Sequence, residues 1–206
     1  MSKKNAKKTS KKNDRALRRE DLAKAAFRVI ARDGITGATA RKVAQEAGCL
    51  PGLLTHYVRT MDELLLMAAK HASAQIVKEW VPIEQASRGE QALRVAISIL
   101  LPLDKQRTDH WKIWISFWDI SRKSPPIKKV LDRFRKEMME SYTRTIAAAQ
   151  QAGDLPPHVD PVFAAHDLIA LVTGLAVAKV LGVPPLSAET QLEHIDQWLK
   201  GLSRPR

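Results

Sequence analysis

Cysteine is almost absent from the chain, since Cys49 is the only one in 206 residues. A single cysteine excludes an internal disulfide and is typical of proteins of the reducing cytosol. Cys49 falls in a predicted turn, where a small apolar side chain would pack inward. We therefore interpret it as a structural residue rather than a redox sensor.

Long apolar runs and strand-like patterns are also missing. No continuous run of roughly 18 or more apolar residues occurs, which predicts no membrane span. The sequence contains no alternation of apolar and polar residues that would predict a β-strand. The amino terminus, Met1–Asn13, has six lysines and no apolar core, so it does not have the pattern of a secretory signal. We expect residues 1–14 to form a basic disordered tail.

Motifs of catalysis and metal binding are missing as well. The sequence has no nucleophile-elbow motif, glycine-rich phosphate loop or His-Glu-x-x-His pattern. Its six histidines are scattered without the spacing of metal ligands. We predict that the protein is not an enzyme and needs no metal or cofactor.

Helical periodicity, in contrast, is present almost throughout. Apolar residues recur at the spacing of one helix face, which predicts an all-α fold of about nine helices. The longer predicted helices cover residues 15–33, 61–80, 88–101, 110–122, 125–151, 161–180 and 188–202. We expect Gly34 to end the first of these helices and Pro82 to stop or bend the second. Ser124, Asp160 and Ser187 precede later helices as predicted amino-terminal caps.

Two short helices joined by a glycine-centred turn are predicted for the segment Thr39–Val58. Val43 and Ala47 belong to a narrow apolar face of the first helix, and the Thr39 hydroxyl can cap it. Gly48 stands where a residue with positive φ is usually needed. This outline is typical of a helix-turn-helix, which places its second helix in the DNA major groove.

The charge distribution favours the same function. Residues 1–60 hold fifteen Lys and Arg against five Asp and Glu, whereas the remaining residues hold nineteen against seventeen. A basic module on a nearly neutral body is typical of a DNA-binding domain attached to a second domain. The alternative is an architectural protein that binds DNA through charge with little sequence preference, and it predicts a steep salt dependence.

The order of these elements resembles the tetracycline-repressor (TetR) family of transcriptional regulators. Over residues 15–70 the resemblance rests on Ala25, Ala26, Gly34, Thr39, Val43, Ala44, Ala47, Gly48, Gly52, Leu54, His56, Tyr57 and residues 62–64. The carboxy-terminal part is similar to the BetI-like branch, which includes the repressor of the choline-to-glycine-betaine genes. That similarity rests on residues 114–118, 152–156, 160–161 and 174–175.

The resemblance implies two domains and a set of DNA contacts. Residues 15–60 would form a three-helix DNA-binding domain with a helix-turn-helix, and residues 61–206 a larger helical domain for effector binding and dimerisation. The DNA-binding residues that it implies are Thr39, Arg41, Lys42, Pro51, Gly52, Leu53, Thr55, His56, Tyr57 and Arg59.

Three positions depart from the family pattern. Leu50 stands where a serine or threonine cap is usual, Leu53 replaces a small polar residue, and Met61 replaces a lysine that typically contacts phosphate. These departures weaken the expected anchoring to the DNA backbone. We hypothesise that Arg59 and the lysine-rich tail supply part of the lost phosphate contact.

The helix predicted over 161–180 is apolar on nearly every face, so it must be covered on all sides. A partner subunit is one cover, which predicts a homodimer, and a central core helix of a monomer is the alternative. The predicted interface residues are Phe163, Leu168, Leu171, Leu175, Ala178, Ile195 and Trp198.

Four of the eleven aromatic residues fall within residues 111–118, and Trp111, Trp114 and Trp118 share one helix face. A core stripe is the interpretation that helical spacing favours. The other interpretation is a pocket for a small molecule, for example a quaternary ammonium compound such as choline held by cation–π contact. The predicted effector-binding residues are Trp111, Trp114, Phe117, Trp118 and Asp167.

These observations predict a cytoplasmic, nucleoid-associated regulator. The expected mechanism is that of a homodimeric repressor, which binds a palindromic operator in double-stranded DNA and is released by a small-molecule effector. A ligand-independent regulator or an activator of the same fold is an alternative. An enzyme with an accessory helix-turn-helix would need a catalytic constellation that the sequence does not show.

Overall fold

The computed structural model describes the backbone of residues 3–86, 89–183 and 185–203, and the side chains of residues 18–82, 89–183 and 185–203. Within these ranges the chain forms nine α-helices and no strand, so the prediction of an all-α fold is confirmed. The helices are α1 (Lys3–Gly37), α2 (Ala40–Glu46), α3 (Pro51–Tyr57), α4 (Met61–Ala86), α5 (Gly89–Leu100), α6 (Lys105–Ser121), α7 (Pro125–Gln151), α8 (Pro161–Leu181) and α9 (Ala188–Leu202).

Helix α1 begins earlier than the sequence pattern predicts. Its backbone is helical from Lys3, so the prediction of a disordered segment over residues 1–14 is wrong for residues 3–14. Lysine, alanine and arginine all favour helices, and no proline or glycine interrupts the chain before Gly34. At Gly34 the backbone leaves helical geometry with φ of 71°, as expected of the glycine that ends this predicted helix.

The helix-turn-helix is formed by α2 and α3. The Thr39 hydroxyl accepts a hydrogen bond from the Lys42 N–H at 3.3 Å, which confirms the predicted cap. Gly48 has φ of +65°, a conformation that L side chains rarely adopt. Val43 and Leu54 are buried between the two short helices and α1. Local signals in the sequence therefore define this motif.

Replacement of Gly48 by valine is expected to lower the free energy of unfolding by about 1–2 kcal/mol, because a β-branched residue strains the left-handed backbone. A Cβ at this position would meet no atom within 4 Å, so the cost would come from the backbone alone. Gly48→Asn is the matched control, since asparagine tolerates this conformation. Thermal unfolding measures both, and an equal loss in the two variants would contradict a backbone origin.

Two further helix boundaries and one cap differ clearly from the predictions. Helix α4 continues through Pro82 to Ala86, so of the predicted stop or bend at Pro82 the stop does not occur. Helix α6 begins at Lys105 because Asp104 caps it, accepting from the Arg107 N–H at 2.8 Å. Ser124 occupies the cap position of α7 but makes no side-chain cap bond there. Asp160 and Ser187 do accept cap bonds, as predicted.

Helix α8 is long and apolar enough, by length and composition alone, to cross a membrane, with a mean hydropathy of 1.7. This finding goes against the sequence-based expectation of no candidate span. A helix that packs in a protein core passes the same test, so the composition is weak evidence. One third of the window (33%) is buried, and α6 and α7 pack against it.

One hydrophobic core connects the amino-terminal helices with the rest of the protein. Helix α1 contacts α2, α3, α4 and α6. Helix α7 packs against α4, α5, α6 and α8. Because protein interiors are close-packed, a displacement of α6 can be transmitted to α1.

Candidate nucleic-acid interface and effector cavity

The predicted DNA-binding side chains lie on the surface of the helix-turn-helix. All of them are exposed except Tyr57, which is half-buried. Its ring contacts the His56 ring edge-on, with centroids 5.2 Å apart. Thr55 donates its hydroxyl hydrogen to the Gly52 carbonyl at 2.9 Å. The structure thus exposes both polar and apolar residues on α3, the helix expected in the groove.

Ion pairs join α1 to α2 and reduce the charge available to DNA. Lys42 Nζ lies 2.9 Å from Asp33 Oδ2, so this predicted DNA contact already has a partner. Glu46 accepts from Arg28 at 2.7 Å and from Arg32 at 3.0 Å, and these hydrogen bonds lower its pKa. Among the described side chains Arg41 has no ion pair, and its guanidinium is exposed. Arg41 is therefore available to phosphate or a base.

Arg19 holds the carboxyl end of α3, a role that the sequence analysis missed. Its guanidinium donates to the Tyr57 carbonyl at 2.6 Å and to Glu63 at 2.7 Å. Glu63 also accepts from the Arg59 backbone N–H at 2.9 Å, and this bond, followed by that from Arg19, lowers its pKa. The contacts fix α3 between α1 and α4. The Thr60-x-x-Glu63 spacing is a capping signal that the sequence contains. The contacts of Arg19, in contrast, are apparent only from the tertiary fold.

A cavity of about 550 Å³ opens between helices α4, α5, α6, α7 and α8. Trp111, Trp114 and Trp118 all line it, so the aromatic face of α6 belongs to both the core and the cavity. Trp114 is buried and stacks on Phe134, with centroids 4.6 Å apart. Trp118 is 40% exposed and meets Trp111 edge-on, with centroids 6.3 Å apart.

Two predicted effector-binding residues do not line this cavity. Phe117 is fully buried in the core, because it lies on a different side of α6 from Trp111 and Trp118. Asp167 is exposed on α8, outside the cavity wall. The wall residues that the sequence analysis missed come from other helices, and they include Glu79, Phe134, Met138, Tyr142, Ile169 and Val172. Only the fold brings these residues together.

Most charged groups at the cavity are already paired. Arg107 pairs with Asp104, and Lys128 and Arg135 both pair with Asp132. Glu79 is exposed and has no ion pair among the described side chains. The wall therefore combines aromatic rings with one carboxylate that is available to a cation.

His110 connects the cavity with α1. It lines the cavity, and its ring meets that of Phe27 on α1 edge-on, with centroids 4.8 Å apart. Phe27 also contacts His71 on α4, with centroids 5.5 Å apart. Burial lowers the pKa of both histidines, which favours neutral rings at pH 7. The three rings form a continuous contact between α6, α1 and α4.

The outer surface of α8 differs from the predicted dimer interface. Leu168, Leu175 and Ile195 are buried in the core of the chain itself, so they do not offer a contact surface. When a helix is apolar on every face, its sequence does not reveal which side packs in the core and which side is exposed. The apolar or small residues that face outward at least in part include Phe163, Ala170, Leu171, Gly174, Ala178, Leu181 and, on α9, Leu192 and Trp198.

In the part of the chain that the structure describes, no group of three or more His, Cys, Asp or Glu side chains could hold a metal ion.

Comparisons with known proteins agree with these features. Residues 22–68 match the family model for bacterial regulatory proteins of the tetR family, and residues 86–204 match that for the BetI-type transcriptional repressor, C-terminal. The chain is 29% identical over 174 residues to the HTH-type transcriptional regulator PksA of Bacillus subtilis, covering 83% of this chain and 82% of PksA. It is 23% identical over 193 residues to the HTH-type transcriptional regulator BetI of Paraburkholderia phytofirmans, covering 90% and 93%.

Solved structures share the fold. A transcriptional regulator from Saccharomonospora viridis in complex with choline superimposes with a TM-score of 0.84 at 21% identity, covering 91% of this chain and 98% of that one. A transcriptional regulator from Rhodococcus sp. Rha1 gives a TM-score of 0.77 at 25% identity, covering 89% and 95%. The matched families consist of regulators rather than enzymes. The chain belongs to the TetR family of DNA-binding transcriptional regulators, with a carboxy-terminal domain of the BetI type.

Proposed function

We propose that the protein is a homodimeric repressor that binds a palindromic operator in the cytoplasm and leaves it when a small molecule enters the second domain. The observation that carries this proposal is a cavity of about 550 Å³ whose wall residue His110 also contacts Phe27 of α1. The same ring can therefore respond to a ligand and act on the DNA-binding domain.

The operator contacts proposed here come from α2, α3 and the turn after α3. Arg41 and Arg59 offer exposed cations to phosphate, and His56 and Tyr57 offer polar groups to bases. A Cβ on Gly52 would meet no protein atom within 4 Å, so any need for glycine there comes from a partner such as the DNA backbone. Such a helix reads few base pairs, which favours two half-sites about 34 Å apart.

The dimer proposed here uses the exposed stripe of α8. Phe163, Leu171, Ala178 and Leu181 recur along this side of the helix and are at least partly exposed. A Cβ on Gly174 would meet no protein atom within 4 Å, so a partner helix has room to approach closely. Burial of this apolar stripe would stabilise an association of two protomers.

The effector proposed here is a quaternary ammonium compound such as choline. Trp111 and Trp118 line the cavity with their rings at 81° to each other and can offer an aromatic face to a cation, and Glu79 adds a negative charge. The related regulator from Saccharomonospora viridis was solved in complex with choline. Both observations support a cationic ligand.

The proposed release of DNA uses the ring contacts. A ligand that moves His110 moves its partner Phe27 on α1, and the Phe27–His71 contact extends the displacement to α4. A shift of a few ångströms between the two DNA-binding domains would break their registry with half-sites one helical turn apart.

Substitutions in the cavity test the effector assignment. We expect Trp118→Ala and Glu79→Gln each to weaken choline binding by about 5–30-fold, since cation–π and charge contacts contribute roughly 1–2 kcal/mol in partly desolvated sites. Trp118→Phe is the matched control, because it keeps an aromatic face. Isothermal titration measures affinity, and fluorescence anisotropy measures release of operator DNA. Absence of choline binding by the unaltered protein would exclude this effector, while operator binding would still report on the repressor assignment.

A further inference from the structure

Two large apolar side chains are exposed at the start of α3, on the surface expected to face DNA. Leu50 is 79% exposed and Leu53 is 43% exposed. The Leu53 N–H donates to the Leu50 carbonyl at 2.9 Å, so the two residues lie one turn apart. The other apolar residues of this segment, Leu54 and Val58, are each only 3% exposed and belong to the core.

The protomer gives no packing role to the outer parts of these two side chains. Leu50 occupies the cap position of α3 but offers no side-chain cap bond. Single exposed leucines are common on protein surfaces, but these two are neighbours on the nucleic-acid interface of a DNA-binding protein. Their surroundings are exposed and polar, with Thr55 and His56 on the same helix.

The major groove presents one kind of apolar group to a protein, the C5 methyl of thymine. We infer that Leu50 and Leu53 read thymine methyl groups in each half-site of the operator. This inference rests on the proposed operator binding and adds a sequence preference to it. The leucine side chains cannot donate or accept hydrogen bonds, so they discriminate by shape and by burial of the methyl group.

The arrangement also compensates for polar contacts that α3 lacks. The Thr55 hydroxyl already donates its hydrogen to the Gly52 carbonyl. Pro51, at the first position of α3, has no backbone N–H to offer to phosphate. Apolar contact with thymine therefore supplies part of the recognition that hydrogen bonds from this first turn would otherwise provide.

The test changes the DNA rather than the protein. An operator is selected from a random duplex library, and each thymine of its half-sites is then replaced by deoxyuridine, which lacks only the methyl group. We expect one or two positions per half-site at which this replacement weakens binding about fourfold, the factor that corresponds to burial of one methyl-sized group. Replacement in both half-sites together should weaken binding about 15-fold, since separated positions add.

Protein variants identify the residues responsible. In Leu50→Ala and Leu53→Ala, deoxyuridine should no longer weaken binding at the position that the replaced leucine contacts. The ratio of affinities for the thymine and deoxyuridine operators should therefore approach one there. Val162→Ala is the matched control, because Val162 is 51% exposed on α8 and should keep the full sensitivity. Tight operator binding without any effect of deoxyuridine would overturn this inference and leave the proposed repressor intact. Failure to select any operator would instead contradict the proposed function itself.

Discussion

Replacement of Leu171 by glutamate is expected to convert the protein to a monomer and to lower its operator affinity by at least about 100-fold. Leu171 lies on the partly exposed stripe of α8 that also contains Gly174 and Ala178. In a symmetric dimer the substitution would place a charge from each protomer in an apolar interface. A buried unpaired charge costs roughly 3–5 kcal/mol, enough to prevent association at micromolar concentration.

The matched control for Leu171→Glu is Val162→Glu. Val162 lies on the same helix and is 51% exposed, but its position is about half a turn around the helix from Leu171. This variant should remain a dimer and bind the operator normally. Sedimentation equilibrium measures the association state, and fluorescence anisotropy measures affinity for the operator. A dimeric Leu171→Glu protein with normal affinity would show that another surface joins the protomers.

Replacement of Phe27 by leucine is expected to separate ligand binding from DNA release. The variant loses the ring edges that contact His110 and His71 but retains most of the apolar volume. Choline should bind with nearly unchanged affinity, because Phe27 does not line the cavity. A typical allosteric coupling changes affinity about 5–150-fold. In Phe27→Leu, choline should instead leave the operator affinity nearly unchanged.

Phe134→Leu provides the opposite phenotype. Phe134 lines the cavity and stacks on Trp114, so its loss should weaken choline binding. At saturating choline this variant should still release DNA as the unaltered protein does. Because coupling is reciprocal, operator DNA should also weaken choline binding in the unaltered protein but not in Phe27→Leu. If choline still released DNA fully from Phe27→Leu, the signal would pass from the cavity to the DNA-binding helices by another route.

The features predicted best from the sequence are those with local causes. Thr39 and Ser187 accept bonds from the backbone three residues later, and Gly48 has the expected positive φ. Such signals depend on a few neighbouring residues, so a sequence contains them in full. The helix-turn-helix and the helix order were predictable for this reason.

The errors have tertiary causes. Leu175 and Leu171 are equally apolar, but only packing against neighbouring helices decides which one is buried. Phe117 adjoins Trp118 in the chain and still lies outside the cavity wall, since successive residues turn by about 100° around a helix. Arg19 contacts Glu63, a residue far along the sequence, and no local pattern indicates that pair.

We propose above all that two protomers recognise one specific operator. Selection of binding sites from a random duplex library, at physiological salt and with excess competitor DNA, tests it directly, whichever genes the protein regulates. We predict enrichment of an inverted repeat with half-sites about one helical turn apart, bound by two protomers. Binding that competitor DNA abolishes, without enrichment of any sequence, would contradict it and would indicate an architectural protein that binds through charge.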